Sequence, residues 1–219
     1  QRTLKLKKEL KEAELQISKQ QEKLSKLAKE LYESRLKTTS TISKVVEVML
    51  SELGIPDAKL KIQGSLNSTF SSKGADDFEW LFSANKGSAP QDIKRVASGG
   101  ELSRITLAIK SLLAQYENLP SIIFDEIDSG TSGDIADKMG AIMKKMTVNT
   151  QVINITHLPQ IASKGDYHFL VYKEDDHDHT YTDIKQLNTE ERVQEIAKML
   201  SGEQLTETAL QNAREFLQT

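Results

Sequence analysis

The sequence predicts an α/β domain with a helical arm at its N-terminal end. Three observations predict it. Residues 1–37 contain no Gly or Pro and carry Leu10, Ile17, Leu24 and Leu31 at intervals of seven. Two short, largely apolar runs, Ser121-Ile122-Ile123-Phe124 and Val152-Ile153-Asn154-Ile155, alternate with helical patterns, as in a buried parallel sheet with crossover helices. Both runs end in residues that carry chemistry, Asp125-Glu126 after the first and Thr156-His157 after the second.

Composition narrows the class. Of 219 residues, 37% are hydrophobic and 28% charged. That is apolar enough for one core, and polar enough to predict a solvated extension beside it. There is no cysteine, which excludes disulfide frameworks and cysteine-based zinc sites and agrees with a reducing compartment. No run of about 18 apolar residues exists to span a membrane, and no signal-peptide pattern opens the chain. The chain begins at Gln1 within a helical pattern, which reads as part of a longer protein. Net charge is −3, yet residues 1–37 hold 11 Lys/Arg against 6 Asp/Glu. A solvated helix face and a DNA-facing arm both fit that excess, the second with salt-sensitive attraction.

The elements follow in order. The seven-residue stripe, with Ala13 and Leu27 at the other seam position and Gln20 and Ser34 interrupting it, predicts a coiled coil. Thr38-Thr39-Ser40-Thr41 weakens the helix, and Val45, Val46, Met49, Leu50 and Leu53 resume it until Gly54 and Pro56, Gly as the C-cap. The boundary is set there: 1–53 for the arm and its entry, 54–219 for the globular lobe. Lys59–Gln63 and Phe78–Phe82 read as strands around a turn at Gly74-Ala75-Asp76-Asp77, with Ser65–Ser72 loose. A helix runs from Leu102 to about Tyr116 and another over Ile135–Met146. Tyr167–Tyr172 and Thr180–Lys185 flank a charged tip that includes His177, Asp178 and His179; a solvated loop is preferred there to a metal site, because the spacing matches no closed ligand set. Asn188 or Thr189 caps a helix ending at Gly202, and a last helix carries Leu210, Ala213, Phe216 and Leu217.

Ligands in open α/β sheets bind beyond the carboxyl ends of strands. Asp125 there suits Mg²⁺, which takes oxygen ligands and keeps several waters. Glu126 suits polarisation of an attacking water; an ordinary strand-end turn is the alternative. Ser98-Gly99-Gly100 ahead of a long helix allows close backbone approach and offers N–H groups to an anion; a plain capped loop is equally consistent. The phosphate loop Gly-x-x-x-x-Gly-Lys-Ser/Thr is missing from the sequence, so a complete nucleotide site is not expected from this chain alone.

Three strings now carry a resemblance: Ser98-Gly99-Gly100-Glu101-Leu102-Ser103-Arg104, Phe124-Asp125-Glu126-Ile127-Asp128-Ser129-Gly130, and Thr156-His157-Leu158-Pro159-Gln160-Ile161-Ala162. Together they resemble the C-terminal half of an ABC-type ATPase head, and in particular the RecN family, SMC-like proteins of bacterial DNA repair and recombination. The resemblance runs from the coiled-coil approach to the end, through Glu190-Glu191-Arg192-Val193 and Met199-Leu200. It implies an α/β fold, the C-terminal lobe of an ABC/SMC-type head (an incomplete P-loop NTPase fold) with an N-terminal coiled-coil helix. It implies ATP and Mg²⁺ as cofactors. Ser98, Gly99, Gly100 and Glu101 would meet nucleotide held by an opposite head, Asp125 would serve Mg²⁺, Glu126 would activate water and His157 would sense the γ-phosphate. Asp128, Ser129 and Gly130 would lie in the loop between two nucleotide sites, where SMC proteins carry an Asp in place of Ser132. The implied partners are the N-terminal half of the same protein, a second head in a homodimer, and DNA, in the bacterial cytoplasm at the nucleoid. The competing expectations are an SMC-type chromosome-organising head, a transporter ATPase subunit, and a non-catalytic coiled-coil scaffold.

Overall fold

A computed structural model describes residues 2–131, 133–176, 179–202 and 205–218. The expectations placed on Ser132, His177 and Asp178, and on the side chain of His179, lie outside what is described. The chain forms two compact units, one of Gln1–Val48 with Asp57–Val96, the other of Met49–Pro56 with Ala97–Thr219.

The first unit is built on helix α1, Arg2–Glu52, whose last turn belongs to the second. The helix runs unbroken through Thr38–Thr41, where the sequence predicts weakening. The hydroxyls of Thr38 and Thr39 donate to the carbonyls of Arg35 and Leu36 at 2.7 and 2.9 Å, so they bond within the helix rather than against it. The seven-residue stripe is uncovered: Leu10 is 62% exposed, Ile17 57%, Leu24 47% and Leu31 39%. Strands β1 (Lys59–Ser71), β2 (Gly74–Ser83) and β3 (Gln91–Asp92) form an antiparallel sheet in that order. Leu60, Ile62, Ala75 and Phe82 are buried on it. The sheet corrects two expectations. Residues 65–71 extend β1, with a register shift between Leu66 and Ser71. The chain reverses at Ser72-Lys73, because the Ser71 hydroxyl accepts the Lys73 N–H at 3.1 Å and donates to the Gly74 carbonyl at 2.8 Å, a side-chain turn. Arg35 pairs with Asp76 at 2.5 Å, the carboxylate side being 2% exposed, and the Tyr32 hydroxyl donates to the Gly64 carbonyl at 3.1 Å. The short helix α2 (Ile93–Val96) closes this unit.

The second unit opens with the end of α1. Gly54, at φ +82, receives the chain: the Ile55 N–H reaches the Leu50 carbonyl at 2.8 Å and the Gly54 N–H that of Ser51 at 3.2 Å, the paired bonds of a left-handed helix cap. Helix α3 (Gly99–Glu117) leads to β4 (Ser121–Asp125), α4 (Gly133–Met146), β5 (Gln151–Ile155) and the single turn α5 (Pro159–Ala162). Strands β4 and β5 are parallel and in register, Ile122 against Val152 and Asp125 against Ile155. The core gathers Leu53, Leu107, Phe124, Ala136, Met139 and Ile161 among others. The sequence predicts strands buried on both faces, and only one face is. Ile122 and Phe124 are buried whereas Ile123 is 61% exposed and Ile155 52%. A hairpin of β6 (Phe169–Asp176) and β7 (His179–Gln186) follows. Helices α6 (Thr189–Ser201) and α7 (Glu207–Gln218) pack through Ile196, Ala197, Ala209 and Ala213. Asn188, not Thr189, is the cap of α6, in a reciprocal box with Glu191.

Candidate functional site

Alternation in β4 turns Ile122 and Phe124 into the core and leaves Asp125 exposed at the carboxyl end. Glu126 follows in the left-handed region at φ +46, held there by its N–H on the Ile155 carbonyl at 3.1 Å and by its own carbonyl accepting the Ser129 N–H at 3.1 Å. A bulky residue at positive φ costs about 1–2 kcal/mol, so this turn is over-determined by its bonds. Because β5 lies parallel beside β4, His157 emerges at the same end of the sheet, exposed.

Ser98 opens α3. Its side chain accepts the Glu101 N–H at 3.4 Å, and Glu101 Oε2 accepts the Ser98 N–H at 2.7 Å and its hydroxyl at 2.8 Å. The Glu101 carboxylate is therefore engaged in the capping box. The N–H groups of Gly99 and Gly100 lie in the first turn, which has no intrahelical acceptor and suits an anion. Gly99, Asp125 and Glu126 line one cleft of about 280 Å³. Ser98, His157, Ser129 and Gly130 are not among its lining residues. Gly130 is placed instead against the helix start. A side chain on Gly100 would meet the Gly130 carbonyl oxygen at 3.1 Å, so the 128–130 loop and the first turn of α3 touch backbone to backbone.

Asp128 departs from an exposed loop position. It is fully buried, and its carboxylate accepts the Thr156 hydroxyl. Three further participants carry no sequence expectation. Arg104 donates to the Gly100 carbonyl at 3.0 Å and to the Leu53 carbonyl at 2.9 Å, bracing the helix start; its place four residues beyond Gly100 is the signal that points to it. Thr106 and Lys110, about two and three turns into α3, line the cleft with Asp125. Among the described residues no group of three or more His, Asp or Glu side chains converges on a metal position.

Solved structures share this fold. The Smc head domain with a coiled coil and joint from Pyrococcus yayanosii matches 91% of the chain and 37% of its own length, at TM-score 0.64 and 19% identity. The Smc head with an extended coiled coil from Pyrococcus furiosus, bound to the C-terminal domain of ScpA, matches 91% and 48% at TM-score 0.59 and 19% identity. The chain has the fold of the C-terminal region of an SMC-type ATPase head with a long N-terminal helix. No protein-family model matches it. Within that class the chain is RecN-like: it is 41% identical over 210 residues to the DNA repair protein RecN of Rickettsia bellii, covering 94% of the chain and 38% of that protein. With the DNA repair protein RecN of Vibrio cholerae it shares 40% identity over 191 residues, 87% of the chain and 34% of the relative. The chain thus spans little more than a third of the length of these curated relatives.

Proposed function

We propose that this chain is the C-terminal half-domain of a RecN-like ATPase that acts in DNA double-strand-break repair and recombination. ATP binding engages two heads and hydrolysis releases them. The observation that carries the reading is the joining of Asp125, Glu126 and the Gly99 turn of α3 on one cleft at the carboxyl end of β4. The identity to RecN proteins, about twice that to the Smc heads, favours this reading over a chromosome-organising SMC head.

Each residue then has a role. Glu126, exposed and held rigidly by the Ile155 bond, takes a proton from water that attacks the terminal phosphate. His157 donates a hydrogen bond to that phosphate. Gly99 and Gly100 present N–H groups to nucleotide on a second head, with Ser98 and Glu101 holding the turn and the Ser129-Gly130 loop lying between the two sites. The N-terminal half of the same protein supplies the phosphate loop and the second helix of the arm, so this chain alone does not turn over ATP. The exposed Ile123, Ile153 and Ile155 face of the sheet is where that half continues the core. Mg²⁺ fits the residues present: Asp125 offers an exposed oxygen ligand at a strand end, and Mg²⁺ is commonly held by one or two carboxylates with substrate phosphates and water. When bound it neutralises charge on the phosphates. No helix among the described residues is long and apolar enough to cross a membrane, and the site of action is the bacterial cytoplasm at the nucleoid.

Glu126→Gln in the intact protein tests the reading. Shape is kept and basicity lost, so hydrolysis should fall about 10²-fold or more with ATP binding retained in a filter assay. Asp125→Asn should instead raise the Mg²⁺ concentration needed for half-maximal turnover. Parental hydrolysis by Glu126→Gln removes the central residue from the proposal, whereas no turnover by the intact parent protein would favour a scaffold.

A further inference from the structure

Asp128 lies too deep to meet a ligand. Its exposure is 0%, one carboxylate oxygen accepts the Thr156 hydroxyl, and the other is buried without a hydrogen-bond partner. The Thr156 hydroxyl also accepts the Leu158 N–H at 3.0 Å. One hydroxyl therefore joins the loop after β4 to the backbone on both sides of His157. On the other side of the link, the Asp128 carbonyl accepts the Thr131 N–H at 3.0 Å and the Thr131 hydroxyl at 2.7 Å, which sets the course of the loop toward Gly130. The bond from the Glu126 N–H to the Ile155 carbonyl is a second link between the same two segments.

An apolar pair would fill this space without desolvating a carboxylate. What the polar pair adds is direction: a hydroxyl that donates one way and accepts the other admits one relative placement of the two loops. We propose that Asp128 and Thr156 are a positioning pair that holds the Glu126 loop and the His157 loop in register, so that both side chains address one phosphate. The inference rests on the roles given above to Glu126 and His157. It takes Asp128 out of the set that touches nucleotide and gives it an indirect part.

The test compares Thr156→Val, which keeps the shape and removes the hydroxyl, with Thr156→Ser, which keeps the hydroxyl, in the intact protein. A misplacement of about 1 Å can cost up to 10²-fold in rate. Thr156→Val should therefore lower kcat about tenfold or more with KM for ATP within about twofold of the parent, and Thr156→Ser should restore kcat. Amide hydrogen exchange should quicken at Leu158 and at 129–131 in the valine variant and not in the serine variant. If Thr156→Val does not fold, Thr156→Ala against Thr156→Ser carries the same comparison. Parental kcat in the variant without the hydroxyl, or equal loss in the serine variant, overturns the proposal. Glu126→Gln measured alongside separates the two claims: a parental rate there overturns the catalytic assignment, whereas the exchange at Leu158 reports on the link alone.

Discussion

Replacing Glu126 by Gly should stabilise the fold while abolishing hydrolysis. Glu126 sits at φ +46, where a side chain costs about 1–2 kcal/mol relative to the right-handed region. Gly removes that cost and adds about 0.5–1 kcal/mol of unfolded-state entropy, leaving, at the midpoints of the two ranges, about 0.75 kcal/mol in favour of the variant. Little offsets it: the Glu126 side chain is exposed, and its structural bonds are made by the backbone N–H and carbonyl, which Gly keeps. Urea denaturation followed by circular dichroism should show the gain directly, and a thermal scan should show about 1–4 °C for a domain of this size. Asn118 is the control. It has the same handedness, φ +48, at the C-cap of α3, but Asn tolerates that region and is, after Gly, the residue that ends helices there, so Asn118→Gly should raise stability by less than Glu126→Gly does. A loss of more than about 1 kcal/mol in Glu126→Gly would refute the strain reasoning and show that the side chain supports the fold. Residues held at sparse backbone angles cluster at sites where geometry is imposed by function. A variant that is more stable and inactive is what that account requires.

The exposed stripe of α1 should be covered by the helix supplied by the N-terminal half. In the intact protein, Ile17→Asp with Leu24→Asp places two charges in that seam, and limited proteolysis should cut the arm faster than in the parent; equal cutting rates would place the pairing elsewhere. The second unit should also lose stability in mild acid. Burial first, then the charge of Arg192, holds the His168 imidazole below its ordinary 6.5, with Glu195 opposing. The unfolded chain then takes up a proton that the folded one resists, so this contribution is full above pH 6.5 and is lost as pH falls through the folded value. Urea midpoints of the parent should drop between pH 7.5 and 5.5 more steeply than those of His168→Gln, and equal slopes would count against the assignment.

Sequence alone determined the elements whose reasons are local. Heptad spacing and the absence of Gly and Pro specify α1. Ser98 with Glu101 three residues on specifies the capped start of α3, and Asn188 with Glu191 that of α6. Pro120 followed by an apolar run specifies β4, and strand ends that carry Asp125-Glu126 and His157 announce a site because ligands gather there. The loose reading of residues 65–71 failed for a nonlocal reason: polar residues join a strand when a partner supplies ladder bonds and side-chain contacts, as Asp77 does for Asn67 at 2.7 Å. Residue order likewise does not encode depth. Asp128 and Asp125 are three positions apart, yet one is fully buried on Thr156 and the other exposed. Nor does spacing reveal that Gly100 and Gly130 meet backbone to backbone, or that Arg104 ties the start of α3 to the end of α1. Those contacts join segments 30 and 51 positions apart, and only packing around the shared core of α3, α4 and the two parallel strands brings them together.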